Sequence, residues 1–318
     1  MVRTATCLVV WYLFSTASTF TNKNLIKHHH VSAEMLTLSH LFVSVVCDFA
    51  LLTLPVASRT SSWRMQTISP KRIAWLMPLS LLSVFAKVLT YWSYDAVPVA
   101  VAHTCKASQP FFNVLMAYAV YRSKFSLATY LSLVPIVVGV IMASVSEMGM
   151  NNLAVSGIAF AVISALLGVV QSMYAKFLLR SRVMQDSINL HFYSAFLSFA
   201  INTPVVMYSS FQADKMPNGG PFPYVTVLFC SLMYFVGSFC SSMVLGDVTE
   251  LTYSIMGTMK RVVIIVSAII YFGNPVTIQS VTGMILAIGG VGAYQLIRLQ
   301  TKQVAMPLPR TLTDVHQL

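Results

Sequence analysis

The chain has 318 residues, 57% of them hydrophobic and 9% charged, with a mean hydropathy of +0.74. That balance excludes a soluble globular domain and belongs to polytopic membrane proteins. The net charge of +11 does not point to nucleic acid, because its cations are scattered between apolar runs instead of covering one solvated face.

At about 20 apolar residues per span, the sequence predicts an all-α membrane protein of ten transmembrane helices. They run roughly over 5–24, 33–56, 73–94, 98–120, 125–146, 153–178, 187–210, 222–246, 249–272 and 276–298. Arg3 ahead of an apolar run, with Ala17 as a small residue, has the outline of a signal peptide, but its removal would leave an odd number of spans. After the first helix, His28-His29-His30 has a metal-like composition without a second ligand cluster, and is read as a solvated loop. Turn chemistry separates later helices at Asn151-Asn152, Pro217-Asn218-Gly219-Gly220-Pro221 and Gly273-Asn274-Pro275. Cys7, Cys47, Cys105, Cys230 and Cys240 all fall in apolar segments without CxxC spacing, so no metal site, redox site or cofactor is expected. No catalytic group is assigned either: the spans lack the paired carboxylates or His-bearing acid/base set of a membrane hydrolase.

Lys/Arg bias sets the orientation. With both termini cytosolic, that side holds Arg3, Arg59, Arg64, Lys71, Arg72, Arg122, Lys124, Lys176, Arg180, Arg182, Arg298, Lys302 and Arg310, while the opposite side holds Lys23, Lys27 and Lys215. The remaining four cations, Lys87, Lys106, Lys260 and Arg261, are intramembrane, and Asp48 is the single carboxylate well inside a span. A charge at the bilayer centre costs roughly 2.5 to 3.5 kcal/mol and must face protein or water. Four cations against one acid leave an excess for an anionic substrate to fill.

The chain also repeats. The segments around Lys106 and Lys260 each run from a membrane lysine through an apolar stretch and a short turn to a helix with a Gly-Val cluster, at Gly139 and Gly290. The lysines are 154 residues apart and the glycines 151. Two repeats of five spans, about 5–146 and 153–298, then insert with opposite topology, the construction of secondary transporters. The chain is read as one transmembrane domain over 1–318 with a cytosolic tail at 299–318.

Lys260 and Arg261 point about 100° apart on their helix and suit a tetrahedral phosphate, a point charge beside a planar fork. The plainer alternative is a structural ion pair with Asp48 or snorkelling to an interface. Lys106 is the repeat counterpart of Lys260. Lys87, Thr90 and Tyr91 share one helical face by their spacing. Asp48 either holds Lys87 or another cation in the empty carrier or lies nearer an interface. Tyr174 and Lys176 are candidates for a gate or for an ordinary basic flank, and Asp247 and Glu250 for a gate with nearby basic residues.

These motifs together resemble the triose-phosphate translocator family of the drug/metabolite transporter superfamily, beside the nucleotide-sugar transporters of solute carrier family 35. The resemblance runs from Thr21-Asn22-Lys23-Asn24-Leu25 through HTCKASQPFF (103–112), SLVPIVVGV (132–140) and Met173-Tyr174-Ala175-Lys176 to the Lys260-Arg261 segment and Gly273-Asn274-Pro275. It implies two inverted five-helix repeats, strict exchange of phosphorylated compounds, and phosphate binding by Lys106, Lys260 and Arg261, with Thr90 matching the family threonine. Two positions depart: Lys87 stands where plastid members have histidine, and a family tyrosine falls at Gly237, with Tyr234 one turn away.

The expected function is an antiporter exchanging a sugar phosphate or similar metabolite for phosphate by alternating access. The alternatives are a nucleotide-sugar/nucleoside-monophosphate antiporter and a non-transporting receptor or chaperone with the same fold. Its partners are then a small phosphorylated molecule and the lipid bilayer, with no nucleic acid. The short stretch ahead of the first helix, unlike a Ser/Arg-rich plastid leader, favours the Golgi or the endoplasmic reticulum over the plastid.

Overall fold

A long apolar segment in a bilayer finds no water for its backbone, so every N–H and C=O must be satisfied inside the segment. The computed structural model of the chain describes residues 2–53, 64–148, 154–212, 223–248, 250–273 and 277–300, and every regular element among them is a helix. These are α1 (Val2–His29), α2 (Ala33–Thr53), α3 (Pro70–Ala96), α4 (Val99–Lys106), α5 (Gln109–Tyr121), α6 (Leu127–Met148), α7 (Ala154–Arg180), α8 (Ser187–Gln212), α9 (Tyr224–Asp247), α10 (Glu250–Phe272) and α11 (Ile278–Gln300). Eight of them, α2, α3 and α6 to α11, are long and apolar enough to cross a membrane. Their outer surfaces are apolar too: Ile278, Val225 and Ile270 are 88%, 82% and 77% exposed, a surface that suits lipid and not water.

Two sequence expectations change. The fourth predicted helix is two, α4 and α5, with a break at Ala107-Ser108. His28 and His29 close α1 itself instead of lying in a loop, and all three histidines are exposed, His30 with a left-handed φ of 52°. Gly273, at φ 57°, ends α10 where an L side chain would be strained. The turns at Asn151-Asn152, Pro217–Pro221 and Asn274-Pro275, along with Arg59, Lys215 and the tail cations Lys302 and Arg310, lie outside the described residues.

Met1–Tyr91 and Met173–Val248 form one compact unit. In it α1 runs along α9, and α2 packs on both α8 and α9. Gly237 permits the α1 approach, since a Cβ there would stand 3.1 Å from Ser15 Oγ. Leu52, Ile188 and Phe192 form an apolar cluster joining α2 to α8.

Trp92–Ser172 and Thr249–Gln317 form the second unit. Its longest seam is α6 against α11, with α10 on α4 and α4 on α6. A Cβ on Gly139 would lie 2.5 Å from Gly283 O, one on Gly283 2.6 Å from Gly139 O, and one on Gly290 2.8 Å from Ile136 N. Backbone meets backbone here, which small residues alone allow. Ala107, Val114, Leu133, Ile136, Val291 and Tyr294 fill the core beside this seam. Each unit draws helices from both halves of the chain, so neither coincides with one sequence repeat.

Candidate functional site

The break between α4 and α5 is the centre of the second unit's polar chemistry. Pro110 has no N–H to give the Lys106 carbonyl one turn back, which weakens the helix at this point. The backbone tightens instead: Ser108 N–H donates to Cys105 O at 3.1 Å, and the Ser108 hydroxyl donates to the same carbonyl at 2.6 Å. Lys106 is thereby the last residue of α4 and Gln109 the first of α5. Both keep part of their surface accessible.

Three cations converge at this point. Lys106 lies within electrostatic range of Lys260 and Arg261, which α10 brings against α4. An Arg261 guanidinium N–H donates to Gln109 Oε1. The Lys106 ammonium stands 5.8 Å from the centre of the Tyr94 ring, a cation–π arrangement. Tyr94 OH is 3.0 Å from Nε2 of the buried His103, whose Nδ1 has no hydrogen-bond partner among the described residues. Gly168 on α7 leaves room for the Gln109 amide, since a Cβ there would come 3.1 Å from its Nε2. Sequence reasoning found the three cations and missed Gln109, Tyr94 and His103. Their signals were a glutamine beside a proline within an apolar run, and a tyrosine three residues beyond Tyr91 on the same helical face.

The other expected residues lie in the first unit. Lys87 sits 5.3 Å above the Tyr234 ring, and Tyr234 stacks on His40 at 4.6 Å between centroids and 6° between planes. Tyr91 meets His40 edge-on at 5.9 Å. His40 is wholly buried and pinned at both nitrogens, 2.8 Å from Ser231 Oγ and 3.0 Å from Asn22 Oδ1. Lys87 and Tyr91 therefore do share one aromatic cluster, while the Thr90 hydroxyl donates to Ala86 O of its own helix at 2.6 Å. Gly237 faces α1 with no room for a tyrosine, so Tyr234 is the α9 ring beside Lys87.

Among the described residues the ion-pair partner of Asp48 is a histidine and not a lysine or an arginine: its Oδ2 lies 2.6 Å from His191 Nδ1. A histidine, uncharged at neutral pH unless perturbed, does not stand out among apolar residues as a lysine or an arginine does. The Tyr174 hydroxyl donates to Trp75 O at 2.8 Å, and the Lys176 ammonium to Leu245 O and, at 3.3 Å, Val248 O. Lys176 thus serves carbonyls at the C-terminal end of α9, where a cation complements the helix dipole. Asp247 comes within 3.9 Å of Arg3 and accepts from Thr4 at 3.4 Å.

Residues 2–295 match the Triose-phosphate Transporter family. The chain belongs to that family. It is accordingly a transporter and not an enzyme, and a multi-pass integral membrane protein. The triose phosphate/phosphate translocator of Spinacia oleracea chloroplasts is 28% identical over 94% of this chain and 73% of its own length. A phosphoenolpyruvate/phosphate translocator of Arabidopsis thaliana chloroplasts is 28% identical over 91% and 70%. A solved crystal structure at 12% identity covers 93% of this chain and 96% of its own, with a TM-score of 0.58, a likeness of fold alone.

Proposed function

We propose that this family member is an antiporter exchanging a phosphorylated organic metabolite for phosphate, with Lys106, Lys260 and Arg261 as the phosphate-binding set. The observation that carries the reading is the meeting of those three cations at the α4–α5 break, with Arg261 held in place by Gln109. The first turn of α5 adds backbone N–H groups, the positive end of its dipole. In the empty carrier the three charges repel one another, and a bound phosphate relieves them. Only loaded carriers then change state readily, so exchange is favoured over net flux, an effect of differential binding to two states.

The finer architecture belongs to the same proposal: ten spans, with α4 and α5 sharing one, in two inverted repeats that alternate access, both termini in the cytosol. The reciprocal contacts of α6 and α11 support it. Gly139 meets Ala287, and Gly290 meets Ile136; a shift of 151 residues turns one pair into the other. Thr90, Lys87 and Tyr91 are proposed to select the organic part of the substrate. The preference for an endomembrane over a plastid draws no support from chloroplastic relatives, and a fluorescent fusion imaged with organelle markers decides it.

The test is exchange of labelled phosphate by purified protein in liposomes, with a panel of sugar phosphates, phosphoenolpyruvate and nucleotide sugars as counter-substrates. Lys260→Ala protein that exchanges at the parental rate sinks the reading. A response to nucleotide sugars alone moves it to the nucleotide-sugar alternative.

A further inference from the structure

Asp48 on α2 has a side chain with 0% of its surface accessible, and its Oδ1 has no hydrogen-bond partner among the described residues. Its Oδ2 is 2.6 Å from His191 Nδ1 on α8, and His191 Nε2 is 2.8 Å from Ser238 Oγ on α9. Three helices of the first unit thus hold an acid, an imidazole and a hydroxyl in a line, none of which belongs to the phosphate-binding set.

An ionised carboxylate in a dry interior with one oxygen unserved costs several kcal/mol. A neutral imidazole orients it without cancelling its charge. One added proton makes the pair neutral overall, whether it rests on His191 or on Asp48, and its loss restores an uncompensated negative charge inside the spans. Intramembrane carboxylates and histidines in this relation are the usual components of proton relays.

Access is one-sided. The Asp48 side chain is sealed, while that of His191 keeps 13% of its surface accessible, so any exchange of the pair with its surroundings runs through the imidazole and Ser238. The Ser238 hydroxyl both donates and accepts, so it can follow the protonation state of Nε2. Titratable groups close in sequence on the same helices are Cys47 on α2, whose thiol feels the Asp48 charge, Tyr193 two residues after His191 on α8, and Tyr234 and Cys240 within a turn of Ser238 on α9. Lys87 on α3 lies over Tyr234 and within electrostatic range of His40, and Arg3 on α1 is taken up by Asp247.

We propose that Asp48, His191 and Ser238 form a proton-binding relay whose loading accompanies movement of the anionic substrate. Ser238 Oγ takes a proton from hydronium and passes its own to His191 Nε2, and His191 releases its Nδ1 proton to Asp48 Oδ2. Water, a neutral imidazole and a carboxylic acid remain; unloading reverses each transfer. The coupling clause rests on the antiport reading, whereas the proton site does not.

Two measurements test the proposal. Infrared difference spectra of substrate-free protein in nanodiscs, recorded across an acidifying pH jump, should show a carboxylic acid C=O band growing in. Asp48→Asn should remove that band, and His191→Gln should move its midpoint. In liposomes containing a pH dye, exchange of phosphate for an organic phosphate should move about one proton per substrate, a movement lost in Asp48→Asn. Thermal unfolding confirms that each variant is folded, and Ser238→Ala, which should slow the proton signal several-fold, is a third variant with little change in volume. Absence of a band removed by Asp48→Asn overturns the proposal, as does equal proton movement in wild type and that variant. A titrating band in protein that exchanges no phosphate upholds the site and overturns antiport.

Discussion

Replacing Gln109 by glutamate changes little in shape and places a carboxylate where Arg261 now finds an amide oxygen. The bond becomes charge-assisted at both ends, and hydrogen bonds to charged groups contribute about 1.5 to 3 kcal/mol. A negative charge some 6 Å from a dianionic phosphate opposes it by about 5 kcal/mol at an effective dielectric of 20, and more weakly where water enters. Taking about 2 to 3 kcal/mol as the net loss, KM for phosphate rises about 30- to 150-fold. Gln109→Ala frees Arg261 without adding charge and raises KM only about 3- to 10-fold, the loss of one ordinary hydrogen bond. The assay is initial-rate exchange of labelled phosphate in liposomes, with thermal unfolding of each protein in detergent as the folding control. A Gln109→Glu variant with parental KM and parental unfolding temperature would refute the placement of phosphate beside Arg261.

Other positions give equally definite expectations. Gly139→Leu forces a side chain into the Gly283 backbone and should destabilise the protein by about 3 kcal/mol or more, whereas Gly292→Ala, whose Cβ meets nothing within 4 Å, should be neutral or gain up to about 1 kcal/mol; detergent unfolding curves separate them. Lys176→Ala should lower stability by about 1 to 2 kcal/mol through the lost Leu245 and Val248 carbonyl bonds, with KM for phosphate unchanged, and a changed KM at unchanged stability would return Lys176 to a gating role. Arg261→Lys keeps the charge and loses the fork, so KM should rise about 10-fold, measured by the same exchange assay. Lys87→His should alter the ranking of organic phosphates in the counter-substrate panel by several-fold while leaving phosphate-for-phosphate exchange near its parental rate.

Charges in apolar runs stand out, which makes Lys106, Lys260 and Arg261 legible in the sequence. Helical spacing likewise brought Lys87 and Tyr91 to one face, where both meet the His40–Tyr234 pair. The break after Lys106 was not readable from its proline alone: Pro78, Pro135 and Pro204 sit inside unbroken helices. What differs at Pro110 is the local turn, where the Ser108 N–H and hydroxyl both settle on Cys105 O, a balance that composition does not show. The partner of Asp48 was hidden for another reason. His191 lies 143 residues away, and no periodicity within one helix reports which side chain a neighbouring helix presents.

The α6–α11 seam has a consequence for how this protein can vary. The contact of Gly139 with Ala287 and that of Gly290 with Ile136 are related by the same 151-residue shift, so each helix presents a glycine to the other's backbone. Enlarging either glycine demands a concession from the opposite helix, and the partner helix faces the same constraint in return. A single enlargement along this line should therefore be tolerated only with a matching reduction across the seam, so that the two helices vary as a pair.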